Sequence, residues 1–131
     1  MPPLSPLTSF LLQRDRLLLP GTPPLTLHRI CFDAAAFTPA CFAAHGMALP
    51  ASLQHAAPKR LGEFLAGRLA AREALRPFGL AGNGVAIGSA REPLWPLGME
   101  GSISHSQLAG QGVALCGVRP AQGGMGLDLE A

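Results

Sequence analysis

Pro58-Lys59-Arg60-Leu61-Gly62-Glu63-Phe64-Leu65-Ala66-Gly67-Arg68-Leu69-Ala70-Ala71-Arg72-Glu73-Ala74-Leu75-Arg76-Pro77-Phe78 is the stretch on which the fold turns. Leu61, Phe64, Leu65, Leu69 and Leu75 recur at helical spacing, and at about 100° per residue they fall in an arc of roughly 140°. Pro58 suits a first helical turn, and Gly79 supplies a stop. The spacing predicts one long helix from about Pro58 to Phe78. Arg68 breaks the pattern, because its wheel position lies inside the apolar arc, between Phe64 and Leu61. Arg72 is close by on the same side, and Arg60 lies at the edge of the arc two turns earlier. A guanidinium that faces a core needs an anion or several acceptors, since an unpaired buried charge costs several kcal/mol. Two readings stand side by side: a basic pocket for phosphate or carboxylate, or an Arg68 that pairs with an internal acid or threads its head past the leucines.

Outward from this helix the pattern is mixed. Leu25 to Phe32 alternates as a strand, with Leu25, Leu27 and Arg29 on one side and Ile30 and Phe32 on the other. Residues 34–57 are Ala-rich with scattered Pro and Gly, which predicts short helical turns. Residues 80–100 are rich in Gly and Pro, with one short strand candidate around Val85 to Ile87. Ser102 to His105 reads as a short strand, Gly112 to Val118 as a longer one, and Met125 to Glu130 as a last. A strand, a helix and then several strands make an α+β fold rather than a doubly wound sheet. Residues 1–24 are proline-rich and show no clear period, so they read as a poorly ordered leader. Residues 25–131 then form the folded domain.

Composition excludes several function classes. The chain has 131 residues, 48% of them hydrophobic and 14% charged, which suits one domain with a core. A net charge of +2 is too small to argue for nucleic acid or a membrane surface, although Arg60, Arg68, Arg72 and Arg76 crowd one stretch. Cys31, Cys41 and Cys116 form no C-x-x-C pair and are odd in number, so reduced thiols in a cytoplasm are the simplest reading. No apolar run approaches the roughly 20 residues needed to span a bilayer.

Three further constellations could carry chemistry. Arg91-Glu92-Pro93-Leu94-Trp95-Pro96 sets two prolines around the single tryptophan, a stiff loop able to hold Arg91 in place or simply a turn anchored by Trp95. Gly101-Ser102-Ile103-Ser104-His105-Ser106, at a strand end, could present hydroxyls, amide N–H groups and an imidazole to an anion. In Gly126-Leu127-Asp128-Leu129-Glu130, residues two apart share a strand face. Asp128 and Glu130 would then sit roughly 6.5 Å apart along the backbone and could lean onto one ion. Two carboxylates plus waters and substrate phosphates are what Mg²⁺ prefers. Each motif alone is common, and each has a plain structural reading.

Together they resemble the motifs of 4′-phosphopantetheinyl transferases. Lys59 to Arg72 is similar to the first helix motif of that family, Arg91 to Pro96 followed by Gly101 to His105 to its second, and Gly126 to Glu130 to its G-[IV]-D-[IVL]-E metal motif, in matching order and spacing. Leu27-His28-Arg29 and Phe32-Asp33 resemble the lead strand of the subgroup that serves enterobactin synthesis. The resemblance covers roughly residues 25–131.

The resemblance implies the first half of a pseudo-two-fold fold, a small antiparallel sheet packed on a long helix. It implies holo-carrier synthase activity: transfer of the 4′-phosphopantetheine arm of coenzyme A onto a serine of an acyl or peptidyl carrier protein. Siderophore, non-ribosomal peptide, polyketide and fatty acid carriers all remain open. By the same resemblance, Asp128 and Glu130 would bind Mg²⁺. Arg60, Arg68 and Arg91 would hold the coenzyme A phosphates, with Ser104 and His105 beside the nucleotide phosphate. Members of the family carry a second half with a third acidic ligand and a lysine near the reacting groups, and neither motif occurs within these 131 residues. The expectation is therefore a chain truncated after the D-x-E motif: an enzyme that is a cytoplasmic monomer when full length, and in isolation a catalytically incomplete fragment that at most binds coenzyme A.

Overall fold

The computed structural model describes residues 10–80, 85–87, 92–108 and 111–121. At its centre is helix α2, Pro58–Leu75, closed by a 3-10 turn over Arg76–Phe78. Gly79 ends the helix at φ 73°, in the left-handed region that glycine enters without a Cβ penalty. The Leu80 amide closes the end by donating to the Leu75 carbonyl at 3.2 Å. The helix is buried on more than the expected stripe. Leu61, Leu65, Leu69 and Leu75 are buried, and so are Gly62, Ala66, Gly67, Ala70, Ala71 and Ala74. A sheet covers one side, while Phe37, Phe42 and Leu53 from the preceding turns join the same core. The small residues let both layers come close.

The sheet is antiparallel, in the order β1-β2-β6-β5. Its strands are β1 Leu11–Leu19, β2 Leu25–Asp33, β5 Met99–Leu108 and β6 Gln111–Pro120. Between β2 and α2 lie two 3-10 turns, Ala34–Ala36 and Ala51–Leu53, and the short helix α1, Ala40–Ala44. A separate two-stranded ribbon, β3 Ala86–Ile87 with β4 Pro93–Leu94, follows α2. The α+β architecture agrees with expectation, including the short turns over residues 34–57. The last strand candidate, Met125 to Glu130, lies outside the described residues.

Two expectations need correction. The proline-rich leader does not describe residues 10–24, because Leu11–Leu19 is strand β1, paired with β2 from Leu11↔Phe32 to Leu19↔Leu25. β1 is an edge strand, exposed along most of its length, so neither face carries the apolar alternation that marks a half-buried strand. Phe10 just before it is fully buried, its ring centroid 5.3 Å from that of Phe32 and 5.7 Å from that of Phe37. The second correction is length. The Ser102 to His105 segment sits within a ten-residue strand, because β5 pairs with β6 from Met99↔Pro120 to Leu108↔Gln111. Here cross-strand pairing overrides the weak strand preference of a Gly- and Ser-rich run.

Alternation then assigns the faces. Phe32, Ile30, Ala114, Cys116, Ile103 and His105 share the α2 side through register pairs. Arg29, Asp15, Arg119 and Glu100 share the opposite side, where Arg29 pairs with Asp15 and Arg119 donates to Glu100 at 2.6 Å. Such partly exposed pairs contribute about 1 kcal/mol or less. Gly112 marks the tightest point of the α2 side, since a Cβ there would lie 2.1 Å from the Phe32 ring. Gly112→Ala is therefore expected to destabilise the protein by about 2 kcal/mol or more, as overpacking of a rigid aromatic does. An unchanged urea midpoint would contradict this packing.

Candidate anion-binding cleft

The helical period sets Arg60, Glu63, Phe64, Gly67 and Arg68 on one stripe of α2. That stripe faces β5, and together they line a cleft of about 150 Å³ with Ile103 and His105 from β5 and Pro93 from β4. Two close contacts hold its walls. A Cβ at Gly67 would lie 2.9 Å from the Ile103 methyl, so glycine lets α2 settle onto β5. A Cβ at Gly101 would lie 2.7 Å from the Trp95 ring, so the tryptophan docks flat on β5 and fixes the segment that carries Pro93. Trp95 is thus the anchor that its flanking prolines suggested.

Arg68 is 7% exposed, the single charged residue in the buried set of the described residues. Its Cζ sits 4.4 Å from the centroid of the Phe64 ring. Its Nε and Nη2 atoms are buried without a hydrogen-bond partner among the described residues. Burial, with Arg60 adding repulsion, lowers the Arg68 pKa. The internal carboxylate partner allowed by the sequence is not found among the described residues. The nearby thiol of Cys116 does not serve either, because burial pushes its pKa up to about 12 and leaves it a neutral S–H near pH 7.

The cleft thus gathers Arg60, Arg68 and His105. Ser104 is not gathered. The expectation placed it at a strand end, but it lies within β5, and alternation turns its side chain away from the face that carries Ile103 and His105. Arg72, one turn beyond Arg68, is engaged elsewhere, donating to the His45 carbonyl at 2.5 Å. Arg91, Asp128 and Glu130 lie outside the described residues, and among those described no group of three or more His, Cys, Asp or Glu could hold a metal ion.

Sequence reasoning passed over two members of the site. Phe64 reads as core, yet its ring carries the Arg68 charge. Glu63 holds His105 Nδ1 at 2.8 Å. The available signal was its place on the stripe, three residues after Arg60 and five before Arg68.

Residues 49–115 match the family model for the 4′-phosphopantetheinyl transferase N-terminal domain. The chain belongs to the 4′-phosphopantetheinyl transferase family. The matched segment spans α2, the cleft-lining part of β5 and half of β6. The chain is 42% identical over 107 residues to enterobactin synthase component D of Escherichia coli and of Shigella flexneri, which covers 80% of this chain and 47% of each relative. It is also 40% identical over 72 residues to the 4′-phosphopantetheinyl transferase PptT of Mycobacterium tuberculosis, covering 55% of this chain and 31% of that protein. The chain spans about half the length or less of these curated relatives.

The site's surroundings predict acid sensitivity. Burial, followed by repulsion from Arg72, lowers the His45 pKa below 6.5. Burial is also the main cause of a lowered pKa at His28, on β2. A histidine that stays neutral when folded leaves the unfolded chain to take up the proton first. Stability is therefore full above pH 6.5 and falls as the pH drops from there toward the folded pKa. The lowered carboxyl of Asp15, held by Arg29, acts only below its ordinary 3.8. Urea midpoints should drop between pH 7 and 5, and His45→Gln should flatten that slope. A flat wild-type profile over this range would contradict the burial of both rings.

Proposed function

We propose that this chain supplies the coenzyme A-binding part of an enzyme that moves the 4′-phosphopantetheine arm of coenzyme A onto a serine hydroxyl of an acyl or peptidyl carrier protein. The observation that carries this reading is the guanidinium of Arg68, whose Nε and Nη2 are buried with no hydrogen-bond partner among the described residues. Stacking on Phe64 offsets about 2 kcal/mol when desolvated. Removing such a charge from water costs more than that. The shortfall is made up when an anion enters the cleft, and phosphate suits it best, since a guanidinium fork meets phosphate oxygens in pairs. Arg60 adds a second cation and His105 a ring nitrogen on the opposite wall. Family membership makes coenzyme A the phosphate-bearing ligand of choice. Arg91 belongs to the same reading as a further phosphate contact, while Ser104 does not contribute its hydroxyl to this cleft.

In the transfer, the carrier serine hydroxyl gives up its proton to solvent, and its oxygen forms a bond to the phosphorus that bears the pantetheine arm. The bond from that phosphorus to the bridging oxygen of the diphosphate breaks, and adenosine 3′,5′-bisphosphate leaves with the electron pair. Arg60 and Arg68 hold the diphosphate and stabilise the negative charge that builds on the leaving side. The pair Asp128 and Glu130 is a donor set that suits Mg²⁺, which takes one or two carboxylates with waters and substrate phosphates. Bound there, Mg²⁺ would supply charge neutralisation on the diphosphate. The reading places the protein in the cytoplasm, a monomer at full length. Among the described residues no helix is long and apolar enough to cross a membrane.

Because the chain spans about half the length of its relatives, binding and transfer are measured separately. Arg68→Met is expected to weaken coenzyme A binding about tenfold or more in titration calorimetry. The same variant should raise the thermal midpoint of the unliganded protein, since it replaces an unpaired buried charge by an apolar chain of similar length. Lower stability with unchanged coenzyme A affinity would mean that Arg68 is merely structural. In the full-length protein, Asp128→Ala should abolish the mass gain on an apo carrier protein without loss of fold. Unchanged turnover there would remove the metal assignment.

A further inference from the structure

Glu63 is out of place in a cleft built for an anion. It is the carboxylate among the described lining residues, it follows Arg60 by three positions, and its side chain is only 13% exposed. Left alone it would repel a phosphate. Its oxygens are, however, committed across the gap to β5: Oε2 lies 2.8 Å from His105 Nδ1, and Oε1 accepts from Gln107 Nε2 at 3.4 Å. His105 and Gln107 are two apart on β5, so one carboxylate reaches both from above. An ionised carboxylate can only accept, so Nδ1 carries a hydrogen and Nε2 is the nitrogen left for a ligand.

We infer that Glu63 is a positioning residue: it pins His105 through Nδ1 so that Nε2 meets the bound phosphate, and binding adds a proton from solvent to give a carboxylate–imidazolium–phosphate line. This rests on the anion-binding reading of the cleft. With Nδ1–H given to Glu63, Nε2 can donate to a phosphate oxygen only when it too bears a hydrogen. The groups facing His105 say when that happens. Arg60 and Arg68 on α2 are the cations of the cleft and Glu63 its anion. Gln107 is neutral and shares Glu63, and β4 and β6 contribute the uncharged Pro93 and Ala114. A phosphate brings the acceptor that a second ring hydrogen needs, so the imidazolium belongs to the bound state.

The test combines ¹⁵N imidazole spectra of His105 with coenzyme A affinities for wild type, Glu63→Gln, Glu63→Ala, His105→Ala and the Glu63→Ala/His105→Ala double variant. In the free wild type, His105 should show the Nδ1–H form, and with coenzyme A both nitrogens should be protonated. Glu63→Gln keeps an acceptor, so it should retain the free-state Nδ1–H form but lose the bound imidazolium. Glu63→Ala should weaken binding about tenfold. The same change should have under about twofold effect once His105 is gone, because it acts through that ring. Equal losses in both backgrounds, or a neutral ring in the wild-type complex, would overturn the proposal. The free-state spectrum separates the two levels: if Arg68→Met binds coenzyme A normally the anion reading fails, while an Nδ1–H ring that changes in Glu63→Ala still upholds the tether, and one that does not change defeats it.

Discussion

A cation is held out of water on an aromatic ring, with no counter-ion among the described residues. Arg68 on Phe64 is the constraint on which the rest of this structure depends. A buried guanidinium normally has a carboxylate or several carbonyls around it, because its attraction to a ring is smaller than the hydration it gives up. Here the Glu63 carboxylate of the same cleft is committed to His105, and the Cys116 thiol is itself too deeply buried to ionise. On the proposed reading the charge is stored rather than spent, and an incoming anion recovers what folding left unmet. Binding sites often carry such a local deficit, and the surrounding scaffold must be strong enough to tolerate it.

The scaffold does this through glycine at points of close approach. Gly67 brings α2 down on Ile103, which closes the floor between Arg68 and His105. Gly101 receives the Trp95 ring, and that contact carries Pro93 to the rim. Gly112 receives Phe32, which together with the fully buried Phe10 fixes the sheet under the helix. A methyl at any of the three would collide before it could pack. The cleft is therefore shaped from beneath, by backbone proximity, more than by the side chains that line it.

The helix and its anomaly were legible in the sequence because a 3.6-residue period is a strong signal, and an arginine inside an apolar arc has few explanations. β2 was legible through a period of two: Ile30 and Phe32 alternate against Leu27 and Arg29. β1 was not. An edge strand whose two faces are both wet leaves no period, and its pairing with β2 is visible only in three dimensions. The length of β5 was hidden likewise, since Gly and Ser say little until β6 lies beside them. That error propagated to the site. Read at a strand end, Ser104 and His105 could converge on one anion; within a strand, they must face apart. Glu63 was hidden because an acid three residues from an arginine reads as an ordinary solvated helix pair, and its true partner is forty-two positions away on another element.

The N-terminal end of α2 points to the same chemistry by a separate route. Ala57 occupies the cap position and offers no side-chain hydrogen bond, and the first turn contains no acid. It carries Lys59 and Arg60 instead, cations at the end of the helix where the backbone dipole is already positive. For an isolated helix this is the wrong choice on both counts, since an uncapped end leaves amide groups unmet and the charges repel the dipole. On the proposed reading one agent would repair both faults. An anion close to Arg60 pairs with the cation and is stabilised by the dipole. The uncapped start of α2 and Arg68 about three turns later, without a counter-ion among the described residues, are thus unfavourable features of one helix that an anion would relieve. Arg60 and Arg68 lie eight residues apart on the stripe that lines the cleft with β5, and on the proposed reading that spacing suits a ligand whose negative charge is extended over more than one group, as a diphosphate's is, rather than a single small ion.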